Sequence, residues 1–233
     1  MIKINRWFLG KGLFLFLVIS MTFFGCGGDD DEGGEPETNN MSLDGIWSGS
    51  YGQSGTKIVF FMNDGEIYGV DENSDLYAGD YSLSNADDNF SASIEGVGID
   101  IEITGSASEQ NQISATFTTS NGNTGDITLA FDSDRYNRSS SFELLSGEYV
   151  SGQSIFSIDN NGGLTRTFLG ECQVSGTFSI LDSEHSLYGL ELDVSQCDAE
   201  GQYSGLAEIK DNDTLIAILF DGSSRLSLKG YKQ

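Results

Sequence analysis

Val97, Ile99, Ile101 and Ile103 alternate with Gly98, Asp100, Glu102 and Thr104. An extended chain points successive side chains to opposite faces, so this stretch predicts a strand with one apolar and one wet face. The same period of two returns in Ile113, Ala115 and Phe117, in Ile127, Leu129 and Phe131, and in Leu190, Leu192 and Val194. After residue 41 no window of a dozen residues carries an apolar stripe of helical period. Turn residues punctuate the chain at Asn63-Asp64-Gly65, Asn121-Gly122, Asn161-Gly162-Gly163 and Asp221-Gly222. Short strands with such turns predict an all-β, antiparallel fold of up-and-down strands, a sandwich or a barrel.

The pattern is laid down twice. Leu43-Asp44-Gly45-Ile46-Trp47 matches Leu145-Ser146-Gly147-Glu148-Tyr149, and Gly79-Asp80-Tyr81-Ser82-Leu83 matches Gly176-Thr177-Phe178-Ser179-Ile180. Asparagine stands 16 residues before the second glycine in both copies, Asn63 before Gly79 and Asn160 before Gly176. Two similar β units follow, residues 42–137 and 138–233, each with room for about eight short strands. The divide falls in the polar stretch Asp132 to Ser141.

Glycine two residues before an aromatic recurs at Gly45/Trp47, Gly79/Tyr81, Gly147/Tyr149, Gly176/Phe178 and Gly201/Tyr203. Both residues lie on one face of a strand. The ring can lean over the missing side chain while the glycine lets the strand coil, a device that helps barrels close. Gly45-Ile46-Trp47 also resembles the G-x-W that opens the first strand of lipocalins and related calycin barrels. That resemblance implies a barrel enclosing an apolar ligand. Trp47, Tyr77 and Tyr81 are the rings that would line such a cavity, or fill it as core.

The N-terminus has the parts of an export signal: basic Lys3, Arg6 and Lys11, then the apolar run Leu13 to Phe24, then Gly25 before Cys26. Phe23-Phe24-Gly25-Cys26 resembles a bacterial lipobox, although Phe23 and Phe24 are bulkier than its usual residues. The resemblance implies cleavage after residue 25 and lipidation of Cys26, with enough acyl chains for stable anchoring. Gly27, rather than aspartate, follows the cysteine, which by the enterobacterial sorting rule implies the outer membrane. Gly27 to Asn40 holds six acids, four glycines and the one proline, Pro36. Such a segment buries too little to fold, so residues 26–41 are expected to form a disordered tether reaching about 50 Å.

The formal charge is −25. No acid precedes Cys26, so the rest of the chain carries 8 basic against 36 acidic residues. That surface repels phosphate backbones and argues against a nucleic-acid partner. With Cys26 lipidated, Cys172 and Cys197 are an even pair in an exported protein, which predicts a disulfide. A turn at Leu181 to Ser186 sets their strands side by side, but Cys197 has the wrong parity, so a bulge or a strand end must follow Val194. The run from Cys172 through Gly176-Thr177-Phe178, Leu187-Tyr188 and Cys197 to Tyr203-Ser204-Gly205-Leu206-Ala207 also resembles uncharacterised proteobacterial lipoproteins, implying the same fold and cysteine pair.

Little points to catalysis. His185, the one histidine, sits in the turn Asp182 to Ser186 and is expected to be exposed. The chain has no G-x-S-x-G elbow and no phosphate-cradling loop. Asp100 and Glu102 could serve a glycosidase, but strand alternation already accounts for them. Asp132-Ser133-Asp134 and Asp211-Asn212-Asp213 offer oxygen ligands for calcium, or are solvated acidic turns. The reading is a lipid-anchored, non-catalytic envelope protein, a binding or structural β module without a cofactor, whose partner is an envelope protein, a glycan or an apolar ligand. The alternatives are a calycin-like carrier and a carbohydrate-active hydrolase.

Overall fold

A computed structural model describes residues 41–84, 88–169, 172–211 and 213–233. Cys26 and most of the 26–41 tether lie outside the described residues. The structure is all-β, with two closed antiparallel barrels of eight strands each. The first comprises β1 (Gly45–Tyr51), β2 (Thr56–Asn63), β3 (Glu66–Asp71), β4 (Leu76–Ser84), β5 (Asn89–Gly96), β6 (Ile99–Ser108), β7 (Gln112–Thr119) and β8 (Thr124–Phe131). Two single-turn helices follow, α1 (Ser133–Tyr136) and α2 (Phe142–Leu145). The second barrel comprises β9 (Gly147–Ser151), β10 (Ser154–Ile158), β11 (Gly163–Leu169), β12 (Cys172–Ile180), β13 (Leu187–Ser195), β14 (Gly201–Lys210), β15 (Thr214–Phe220) and β16 (Arg225–Lys232). Within each barrel every strand pairs with the next, and β1 closes on β8 as β9 closes on β16.

The alternation sorts side chains between inside and outside. On β5, Phe90, Ala92 and Ile94 are buried while Ser91, Ser93 and Glu95 are exposed. An apolar inside and a polar outside are the reverse of a membrane-spanning barrel. Val97 departs from the expectation. It is 75% exposed, because β5 ends at Gly96 and Gly98 takes a left-handed φ of 70° in the turn to β6. The apolar face of β6 therefore begins at Ile99.

The repeat extends to hydrogen bonds. The Trp47 indole N–H donates to the Leu43 carbonyl at 2.8 Å, and the Tyr149 hydroxyl donates to the Leu145 carbonyl at 2.7 Å. The Tyr81 amide donates to Gly65 O at 2.7 Å, and the Phe178 amide to Gly162 O at 2.8 Å. Gly79 and Gly176 serve curvature differently from expectation. A Cβ at Gly79 would collide with the Ser93 carbonyl, and one at Gly176 with the Glu191 carbonyl. The space is taken by the backbone of the next strand, which the coil brings close, rather than by the aromatic two residues on. At Gly201 the Tyr203 ring does lie over the gap, 3.3 Å from the Cβ position.

A third apolar cluster joins the barrels. Ile46, Phe61, Tyr68 and Ala78 from the first pack with Leu187, Leu206 and Ile218 from the second, together with Tyr136 of α1. These strands are apolar on both faces, as in the runs Ile58 to Met62 and Leu215 to Phe220. Beside the cluster, Arg135 of α1 pairs with Glu208, which is 0% exposed, and Arg138 donates to Ile209 O at 2.9 Å. Arg225 reaches back to Glu95 at 2.8 Å.

Candidate functional site

The first barrel is plugged at one end and hollow at the other. At the plugged end Trp47 is fully buried, edge-on to Phe131 with ring centres 5.4 Å apart, and Leu43 lies beneath it. The Tyr81 hydroxyl closes the same end by donating to Asp44 at 2.8 Å. At the far end the β1–β2, β3–β4, β5–β6 and β7–β8 turns surround a mouth. Beneath it lies a cavity of about 200 Å³. Ile58, Phe60, Ile94, Ile103 and Ile127 wall its depth, and Tyr51, Tyr77, Ile99, Ile101, Phe117 and Thr119 complete the lining. All eleven face inward, as the strand period requires.

One polar cluster sits at the lip. Asp71, the last residue of β3, has the inward parity of Ile67 and Gly69 and is only 6% exposed. Its Oδ1 accepts the amides of Asn73 and Asp75, both at 2.9 Å, which fixes the β3–β4 turn. Its Oδ2 accepts the Tyr51 hydroxyl at 2.8 Å and lies 3.4 Å from that of Tyr77. The two phenol oxygens are 3.2 Å apart. Burial raises the Tyr51 phenol above its ordinary pKa, opposed by the Tyr77 hydrogen bond and aided by Asp71. Burial, with the Tyr51 hydrogen bond and charge next, raises that of Tyr77. Both phenols are therefore neutral at physiological pH.

Of the three expected cavity rings, only Tyr77 lines the cavity; Trp47 and Tyr81 belong to the plugged end. Asp71 and Tyr51 are not among the residues the sequence singled out, and Phe117 stands there only as a position of an alternating strand. Asp71 carried a signal, an acid on the inward parity of Ile67-x-Gly69-x-Asp71. Cys172 and Cys197 form the expected disulfide, with Cα atoms 4.9 Å apart. A strand end solves the parity: β13 stops at Ser195, and Gln196 turns through a left-handed φ of 64°. The bridge lies at the end of the second barrel that corresponds to the mouth of the first.

The remaining candidates do not converge. Asp100 and Glu102 are exposed on the outer face of β6, and Glu102 accepts from Ser93 at 2.7 Å. Asp132 caps α1, accepts from Ser48 at 3.2 Å and approaches Arg135 at 3.6 Å, so its carboxylate is already engaged. Asn212 lies outside the described residues. Among the described residues no group of three or more His, Cys, Asp and Glu is placed to hold a metal ion. His185 is not the exposed tip that was expected. Its ring stacks on Tyr136 with centres 4.2 Å apart, because α1 folds back over the β12–β13 turn.

A double eight-stranded barrel, the first of its two barrels hollow at its mouth, defines the class of the molecule by its architecture. In comparisons with known proteins, the chain matches no family, no curated protein and no solved structure.

Proposed function

We propose that this is a non-catalytic, lipid-anchored protein of the bacterial outer membrane that holds a small apolar ligand in its first barrel. The cavity beneath the mouth carries this reading. It is mostly apolar, opens at one end, and has a few polar groups at its lip, the Asp71–Tyr51–Tyr77 cluster and Thr119, the usual make-up of a small-molecule site. An apolar cavity of about 150 Å³ takes a benzene ring, so this one suits a monocyclic molecule or a short chain. The second barrel, stapled at its corresponding end, serves as a rigid partner. The lipobox-like Cys26 supplies the anchor and the acidic segment after it the leash.

The test is to extract the purified full-length protein with organic solvent and analyse the extract by mass spectrometry. A ligand should be present and should vanish in Ile101→Trp, whose indole fills the mouth. An extract identical in both proteins would sink the carrier reading. The anchor is tested separately: the protein should gain an acyl-sized mass that Cys26→Ser loses.

A further inference from the structure

We infer that the cavity of the first barrel selects a small apolar molecule whose one polar group is a neutral hydroxyl, an alcohol or a phenol, and rejects carboxylates. This rests on the carrier reading above and specifies the ligand. The argument is one of proton accounting. A carboxylate only accepts hydrogen bonds, so the Tyr51 hydroxyl, 2.8 Å from Asp71 Oδ2, donates to it. The Tyr77 hydroxyl has Tyr51 Oη at 3.2 Å and Asp71 Oδ2 at 3.4 Å as its acceptors. Both phenolic protons thus point away from the cavity, toward Asp71. What the two rings present to a ligand is lone pairs. Asp71 stands behind them and is not part of the cavity wall.

Such a lip satisfies a donor. An incoming hydroxyl can give its proton to a phenol oxygen without disturbing the cluster. A carboxylate would meet lone pairs on the phenols and a buried negative charge behind them, and would lose its water with no compensating donor. The other hydroxyl of the lining, Thr119, already donates within its own turn, with Asn121 Oδ1 at 2.7 Å and Asn123 O at 3.0 Å. The outer rim has the same sign. Glu72 and Asp75 occupy the β3–β4 turn, and Lys57 is the one basic residue between Leu43 and Phe131. A bare hydrocarbon would fill the space but bring no proton to the lone pairs that the phenols turn toward the cavity.

The probes are toluene, benzyl alcohol and benzoate, which share a ring and differ in the polar group. Each is titrated into the full-length protein in about 0.3 M salt, which shortens the reach of the overall negative field. Binding is followed by NMR at the methyl groups of Ile99 and Ile101. Benzyl alcohol should bind roughly 2- to 10-fold tighter than toluene, the worth of one hydrogen bond. Benzoate should bind at least tenfold more weakly than the alcohol. Tyr77→Phe, which keeps the ring, should shrink the alcohol's advantage over toluene. Asp71→Asn, which releases a phenolic proton toward the cavity, should narrow the gap between benzoate and the alcohol. Comparable binding of all three probes, or tighter binding of benzoate, would overturn the hydroxyl selectivity while leaving the carrier reading intact. No methyl response to any probe would overturn the carrier reading itself, and the selectivity with it.

Discussion

Single residues set where this molecule is hollow and where it is joined. Asp71 is an acid on the inward parity of a strand, and the structure meets its demand for donors with two amides and the Tyr51 hydroxyl. Glu208 is buried on the outer face of β14 and relies on Arg135. Removing one partner of a buried pair leaves an uncompensated charge, so Arg135→Ala should cost about 3–5 kcal/mol in chemical denaturation. An effect below ~1 kcal/mol would mean that water reaches Glu208. Gly79 is fixed by the neighbouring strand, since any Cβ there meets the Ser93 carbonyl and Ile94 Cα. Gly79→Ala should destabilise by about 1–3 kcal/mol, the usual cost of overpacking.

At the scale of elements, the strands were the most legible part of the sequence. Alternating runs such as Leu190, Leu192 and Val194 gave their direction and their buried face directly. The repeat was legible because equal spacing, Asn63 to Gly79 and Asn160 to Gly176, reflects equal turns, and Gly65 and Gly162 make the same backbone hydrogen bond. Two things were hidden. Val97 keeps the parity of a strand while sitting in a turn, because parity does not mark where pairing stops. The joint between the barrels shows in the sequence only as runs without alternation, Ile58 to Met62 and Leu215 to Phe220, and which face meets which depends on closure. The cavity was the least legible, since Trp47, Tyr77 and Tyr81 share parity and differ only in depth along the barrel. The Cys172–Cys197 bridge ties β12 to the chain beyond β13 across 25 residues. Opening it with a Cys172→Ser, Cys197→Ser double variant should cost about 3 kcal/mol and lower Tm by roughly 6–12 °C in a calorimetric scan. An unchanged Tm would show that the hairpin's own pairing suffices.

The whole molecule behaves as two barrels sharing one apolar joint. Ile218 is fully buried in that joint. Ile218→Asp should part the barrels without opening either, so X-ray scattering should report a larger radius of gyration while the strand signal in circular dichroism persists. The tyrosines set an alkaline limit. Eight of the nine have pKa values raised chiefly by burial, Tyr136 to about 12. A group that keeps its proton in the folded state and loses it near pH 10 when unfolded gives stability that is complete below about pH 10 and falls above it. Denaturation midpoints should therefore be flat from neutral pH to about 10 and then drop steeply, with tyrosinate absorbance rising together with unfolding.

The shared hydrogen bonds of Trp47 with Leu43 and of Tyr149 with Leu145 have a practical consequence. The chain carries its own control. Both barrels are built on one plan, in one polypeptide, under one set of conditions. A ligand, a proton uptake or a spectral change found at Tyr51 and absent at the corresponding end of the second barrel, around Ser151, cannot be charged to the scaffold, because the scaffold is present twice; it belongs to the mouth.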